Sequence, residues 1–156
     1  MAAADRPSLD YSRIPTVVVV GTDGSGASKR AAAVAAALAK RNNAALHVVT
    51  VVRPPEGWWG VVGSPPTPHA VADALTDAQR KIIDSTLEAI EVEGLTVTTA
   101  EEMGDPPGVL ADYCTKEGAD MLVVGRRGSG IVERLVMGSV ADRLAHIAPC
   151  PVLIVP

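Results

Sequence analysis

Apolar residues in this chain fall into a few short runs separated by longer amphipathic stretches. Thr16-Val17-Val18-Val19-Val20, Ala45 to Val52, Asp120-Met121-Leu122-Val123-Val124 and Val152 to Val155 are almost continuously aliphatic. Runs without polar alternation suit strands buried on both faces of a parallel sheet. Leu95 to Ala100 alternates in part, with Leu95, Val97 and Thr99 on one side and Thr96 and Thr98 on the other. That pattern predicts an edge strand. Between these runs the helical period appears. Ala27 to Arg41 is dominated by Ala, the strongest intrinsic helix former, and Asn42-Asn43 marks its stop. Residues 69–93 place Val71, Leu75, Ala78, Ile82, Ile83, Leu87 and Ile90 on one face, with Gly94 as the terminator. Gly108 to Glu117, closed by Gly118, and Val140 to about Ile147, broken by Pro149-Cys150-Pro151, complete the set. Strands alternating with helices predict an α/β fold: five parallel strands, right-handed crossovers and helices on both faces.

Turn chemistry divides the rest. Residues 1–14 read as a flexible tail, which leaves 15–156 as one domain without internal repeats. Residues 53–68 hold Pro54, Pro55, Pro65, Pro66 and Pro68 with Gly57, Gly60 and Gly63, too many breakers for regular structure. Trp58-Trp59 lies in the middle of this excursion, and a loop anchored by one Trp is the reading preferred over a lid.

Composition sharpens this picture in three ways. Aromatics are 3% of the 156 residues and Phe is absent, so Val, Leu, Ile and Ala must build the core. A formal net charge of −4 argues against broad nucleic-acid binding, which needs a basic surface. Cys114 and Cys150 form no C-x-x-C pair and His is scarce, so two reduced, partly buried thiols are expected rather than a zinc site. Met1 to Ile14 lacks the apolar core of a signal peptide, and no apolar run reaches the length of a membrane span. The expectation is a cytoplasmic protein without membrane contact.

Two strands end in unusual loops. The first runs into Gly21-Thr22-Asp23-Gly24-Ser25, the fourth into Gly125-Arg126-Arg127-Gly128-Ser129-Gly130. In an open parallel sheet, ligands bind beyond the C-terminal strand ends, where the winding reverses. If these strands are neighbours, the two loops face one crevice. Gly125, Gly128 and Gly130 offer positive-φ positions without a Cβ, so their amides can form an anion nest. Gly138-Ser139 opens the last helix, whose N-terminus attracts anions. Ser139 has two readings: a hydroxyl donated to a phosphate, or a helix cap in a Ser139-Val140-Ala141-Asp142 capping box. Of the two arginines, Arg127 is the candidate for a phosphate and Arg126 is expected in solvent. Asp23 could accept from a ribose hydroxyl, bear on a phosphate-held metal, or close an Asx-turn. The spacing is neither a Walker A nor a dinucleotide fingerprint.

Gly125-x-x-Gly128, nine residues, then Gly138-Ser139 resembles the signature of ATP-binding universal stress proteins. Val17 to Ser25 resembles that family's opening strand and Ala148 to Val155 its ending, so the similarity spans about residues 14–156. The resemblance implies a Rossmann-like sheet of order 3-2-1-4-5, similar to adenine nucleotide alpha hydrolases. It implies an adenine nucleotide, ATP first, in the crevice between strands one and four. Thr22 and Asp23 after Gly21 would hold the adenosine, and Val51 would line the base pocket. Gly125, Arg127, Gly128, Gly138, Ser139 and Val140 would surround the phosphates, often with Mg²⁺ or Mn²⁺. A homodimer through Val152 to Val155 is implied as well, and pairing would cover the exposed strand edge. His47, His69 and His146 belong to no nucleophilic motif, and no carboxylate pair suggests general acid–base work. The reading is a nucleotide-binding stress-response or signalling module with slow hydrolysis at most. A slow ATPase or nucleotidyl-transfer enzyme, a cyclic AMP or AMP sensor and a nucleotide-free dimerisation module stand as alternatives.

Overall fold

The computed structural model describes residues 10, 12–54, 68–127 and 137–156. Trp58-Trp59, Gly128, Gly130 and most of the N-terminal tail lie outside the described residues. In chain order the elements are β1 (Val17–Gly21), α1 (Gly26–Asn42), β2 (Ala45–Val52), α2 (Pro68–Glu88), β3 (Thr96–Met103), α3 (Pro106–Glu117), β4 (Met121–Gly125), α4 (Ser139–Ile147) and β5 (Val152–Val155). All strand pairs are parallel, and the sheet order is β3-β2-β1-β4-β5.

Each face of the sheet carries its own core. On one face Val18, Val20, Leu46, Val48 and Val123 pack against Ala31, Ala32, Ala35, Ala36 and Ala39 of α1 and Ile83 of α2. On the other, Val19, Val49, Leu122 and Val124 meet Leu110, Ala111, Tyr113 and Cys114 of α3 and Ala141 and Leu144 of α4. The strict alternation along β1 and β4 therefore serves two cores, which is why their sequences show no polar face. The methyl side chains of α1 let it lie close on the sheet without overpacking.

Local chemistry sets the helix ends. Ser25 caps α1, its hydroxyl accepting the Ser28 N–H at 3.2 Å. At the other end Asn43 takes the left-handed conformation, φ 52°, and its N–H turns back to Ala39 and Lys40 carbonyls. α3 begins two residues before the expected Gly108, because Pro106 and Pro107 occupy first-turn positions whose N–H groups no helix needs. α2 ends at Glu88, short of the expected 93. The N–H groups of Ala89 and Ile90 bond three residues back, to Thr86 and Leu87, which tightens the chain into turns. β3 runs on to Met103, three residues beyond the predicted Ala100, because pairing with β2 continues to Val52↔Met103. It is an edge strand, as the alternation indicated.

Two buried polar contacts join elements that are far apart in sequence. His47 Nδ1 on β2 lies 2.9 Å from the Tyr113 hydroxyl on α3, with the rings edge to face. Burial pushes the Tyr113 phenol above its ordinary value. Cys114 and Cys150 are both buried and free, and their thiols contact each other. That contact, with burial, raises the Cys114 thiol and keeps it protonated.

Asp120 ties the start of β1 to β4. Its carboxylate accepts the Thr16 N–H at 2.8 Å, the Thr16 hydroxyl at 2.9 Å and the Val17 N–H at 3.0 Å. Burial alone would raise this carboxyl, but the three donors outweigh it and hold it below its ordinary value. A depressed folded-state pKa adds stability above the unfolded value near 3.8, and this is lost as pH falls through the lower folded value. Asp120→Asn should therefore cost about 1–2 kcal/mol at pH 7, discounted for solvent exposure. Thermal melts should show the deficit shrinking as pH drops below about 3.8. A deficit that persists unchanged at acid pH would contradict the assignment.

Candidate functional site

β1 lies between β2 and β4, so the winding reverses between β1 and β4. The loops after these two strands flank that point, and a cavity of about 390 Å³ opens there. The volume falls within the range of small-molecule sites. Its lining comes from four directions: Gly21, Thr22, Asp23 and Ser28 after β1; Val49, Val51 and Arg53 of and after β2; Val124, Gly125, Arg126 and Arg127 of and after β4; and Pro106, Leu110, Ser139, Val140 and Ala141 of α3 and α4.

Two hydroxyls and a carboxylate shape the β1 side. The Thr22 N–H continues the sheet to the Val49 carbonyl at 2.9 Å. The Thr22 hydroxyl sits 2.8 Å from that of Thr86 and accepts the Gly24 N–H at 3.2 Å. Thr86 donates its own proton to the Ile82 carbonyl at 2.8 Å, so Thr22 is the donor toward Thr86. The Thr22 hydroxyl proton is thus committed inside the protein, and Thr22 fixes the loop that carries Asp23. Asp23 Oδ1 accepts the Ser25 N–H at 2.9 Å, an Asx-turn, while the residue lines the cavity. Gly24 holds φ 80°, which the turn between Asp23 and the Ser25 cap requires.

Gly125 is needed for a reason the sequence did not give. Its φ is not among the positive values. A Cβ there would lie 2.9 Å from the Ala27 carbonyl carbon and 3.0 Å from the Ser28 N, both backbone atoms of α1. Close approach of α1, rather than a left-handed turn, demands glycine at the end of β4.

α4 supplies the anion-attracting end. Its N-cap is Gly138, which makes no side-chain cap bond, so Ser139 is the first helical residue and the Ser139–Asp142 capping box is not made. The first intrahelical bond runs from the Asp142 N–H to the Gly138 carbonyl at 2.9 Å. The N–H groups of Ser139, Val140 and Ala141 precede it, and all three residues line the cavity. Gly138 itself is buried beside the lining, its N–H spent on the Arg126 carbonyl at 2.7 Å.

Among the described lining residues three guanidiniums, Arg53, Arg126 and Arg127, face one carboxylate, Asp23. Arg126, expected in solvent, instead lines the cavity, with its Nε buried and without a hydrogen-bond partner. The reason is its backbone, which is held between β5 and the start of α4 by the bonds to Val155 and Gly138. Arg53 is steered by Asp105, whose two oxygens take Arg53 at 2.8 Å and Arg143 at 2.6 Å. Asp105 stands at the α3 N-cap without a side-chain cap bond: Pro107 at the second helical position has no N–H, and both carboxylate oxygens are taken by the arginines. The opposite wall, Val49, Val51 and Leu110, is aliphatic.

The structure thus brings Gly21, Thr22, Asp23, Val51, Gly125, Arg127, Ser139 and Val140 to one cavity. Sequence reasoning missed Ser28, Val49, Arg53, Pro106, Leu110, Val124, Arg126 and Ala141. Arg53 carried a signal, as the residue just after a strand that ends at the crevice. Pro106 and Leu110 carried none, because only the packing of α3 places them there.

The profile of the universal stress protein family matches residues 16–156. The chain belongs to the universal stress protein family. A universal stress protein of Synechocystis is 31% identical over 80 residues, 51% of each chain. A solved universal stress protein in complex with cAMP is 26% identical with a TM-score of 0.65, covering 92% of this chain and 99% of that one. One from Archaeoglobus fulgidus, solved in complex with dAMP, is 20% identical with a TM-score of 0.60, covering 92% of this chain and all of that one, and it shares the fold. The chain spans about half the length of the curated relatives it matches. Within this family fold the cavity lies where the loops after β1 and β4 meet. Among the described residues no helix is long and apolar enough to cross a membrane.

A universal stress protein that needs glycine at 125 for helix approach should not tolerate even a methyl there. Gly125→Ala should cost about 1–3 kcal/mol, because backbone rather than a flexible side chain must give way. A thermal melt should show a midpoint lower by about 2–10 °C. An unchanged midpoint would mean that α1 is free to move off β4.

Proposed function

We propose that this universal stress protein binds an adenine nucleotide in the β1/β4 cavity and acts as a binding module. The observation that carries this is the polarity of the cavity itself. Val49 and Val51 of β2 and Leu110 of α3 give it aliphatic lining, with Arg53 just beyond, and across β1 the β4 loop and the α4 N-terminus bring Arg126 and Arg127. A nucleotide has the matching polarity, a flat base at one end and phosphates at the other. The relative solved with cAMP supports the adenine. The G-x2-G-x9-G-S spacing supports ATP within that class. In this reading Val51 lines the base, Asp23 after Gly21 and Thr22 meets the ribose, and Gly125, Arg127, Gly128, Ser139 and Val140 surround the phosphates above Gly138.

A divalent metal would ride on the phosphates. Among the described residues no group of three His, Cys, Asp or Glu side chains could hold one alone, and Asp23 is the carboxylate that lines the cavity. That carboxylate is engaged in its Asx-turn, and no histidine is among the lining residues. The cyclic AMP complex of the relative gives a sensor of cyclic or mononucleotides specific support as a second reading.

The edge of the sheet supports a homodimer. β5 is an edge strand, with Leu153 37% and nearby Ile147 45% exposed. Pairing with a second copy through Val152 to Val155 would cover that edge and its apolar side chains. The module is read as residues 15–156 in a cytoplasmic homodimer.

Binding and assembly are each open to direct measurement. Mass spectrometry of the purified protein should release an adenine nucleotide, and calorimetry of the stripped protein should register ATP, ADP, AMP or cyclic AMP. Gly138→Glu, which sets a carboxylate beside the α4 N-terminus, should remove that heat while circular dichroism stays native. No heat with any of the four sinks the proposal, and ATP turnover at about 1 s⁻¹ or faster would make it an enzyme. For assembly, light scattering should give twice the chain mass for the wild type and one mass for Leu153→Lys. A wild-type monomer at micromolar concentration would refute the dimer.

A further inference from the structure

Arg126 is held in surroundings that do not balance it. Its N–H donates to the Val155 carbonyl at 2.6 Å, and its carbonyl accepts the Gly138 N–H at 2.7 Å. The backbone therefore cannot carry the side chain away from the cavity. The guanidinium Nε is sealed from solvent and has no hydrogen-bond partner among the described residues. A buried donor left without an acceptor is an unfavourable state that folded proteins rarely keep without a use for it. The charge is also badly placed for an empty site. α4 points its positive N-terminal end at the same cavity, and a cation near a helix N-terminus is repelled. Arg53 lines the same cavity but is paired with Asp105. Among the described residues, Asp105 is taken by Arg53 and Arg143, and Asp142 in the first turn of α4 is exposed. Asp23 lines the cavity but is engaged with the Ser25 N–H.

We propose that Arg126 is the residue that makes the cavity select a nucleoside phosphate over the bare nucleoside, its guanidinium gripping a phosphoryl oxygen against the α4 N-terminus. This rests on the nucleotide reading above. An anion at that position supplies the missing acceptor and separates Arg126 from the helix end with charge of the opposite sign.

The test compares adenosine, AMP and ATP by calorimetry on the wild type, Arg126→Met and Arg126→Lys. Arg126→Met should bind AMP and ATP about 10- to 100-fold more weakly, the usual range for a charged hydrogen bond, with adenosine affinity unchanged. Arg126→Lys should recover part of the loss, since it restores a point charge without the fork. Without ligand, Arg126→Met should melt no lower than the wild type, because it removes an unpaired donor. That readout separates ligand binding from a structural role. AMP and ATP affinities within about twofold of wild type in Arg126→Met overturn this inference alone. A lower ligand-free melting point with adenosine and AMP weakened equally makes Arg126 structural and also overturns it. A wild type that binds none of the three overturns the nucleotide reading and this inference with it.

Discussion

The close seat of α1 on β1 and β4 governs the geometry of the cleft. Five alanines face the sheet from this helix, and the sheet answers with valines from β1, β2 and β4. At the open end of β4 the approach becomes so tight that Gly125 has no room for a methyl group beside Ala27 and Ser28. Because α1 is held there, the loop before it is held as well. Ser25 caps the helix, Asp23 folds onto the Ser25 amide, and Thr22 locks into Thr86 of α2. One packing constraint thus fixes the β1 side of the cavity to within a hydrogen bond.

The β4 side is fixed by backbone pairing instead. Arg126 bonds to β5 on one side and to the start of α4 on the other, which aligns the α4 N-terminus with the crevice. A rigid dipole and a pinned cation then share one small volume, while the rest of the chain is net acidic. The local field, rather than the net charge, describes what the site attracts. The opposite wall is aliphatic and carries no hydrogen-bonding side chain at Val49, Val51 or Leu110. The universal stress protein fold has in this way built a cavity with a dry end and a positive end from elements that each had another structural task.

Individual residues show where reading the chain stopped. The largely aliphatic runs of β1, β2, β4 and β5 placed those strands to within a residue, because few helical or loop patterns are so continuously apolar. Thr96 to Met103 was harder to bound, since an edge strand is half solvated and its end is set by pairing with β2. The glycine and serine of Gly138-Ser139 were visible, but which of them caps α4 depended on where the helix actually begins. Cys114 and Cys150 are 36 positions apart and gave no sign that they would touch, and His47 gave none of its bond to Tyr113.

The sequence by itself determined the alternation of strands and helices, the two glycine-rich loops and their position after β1 and β4. Those features are local: they follow from side-chain period, turn propensity and helix propensity within windows of a few residues. Tertiary structure alone decided that Arg126 rather than solvent fills its corner, that Asp105 bridges two arginines instead of capping α3, and that Pro106 and Leu110 reach the cavity. Each of those is a contact between elements, and which elements meet is set by the crossing of the sheet and the packing of its two faces. No window along the chain carries that information.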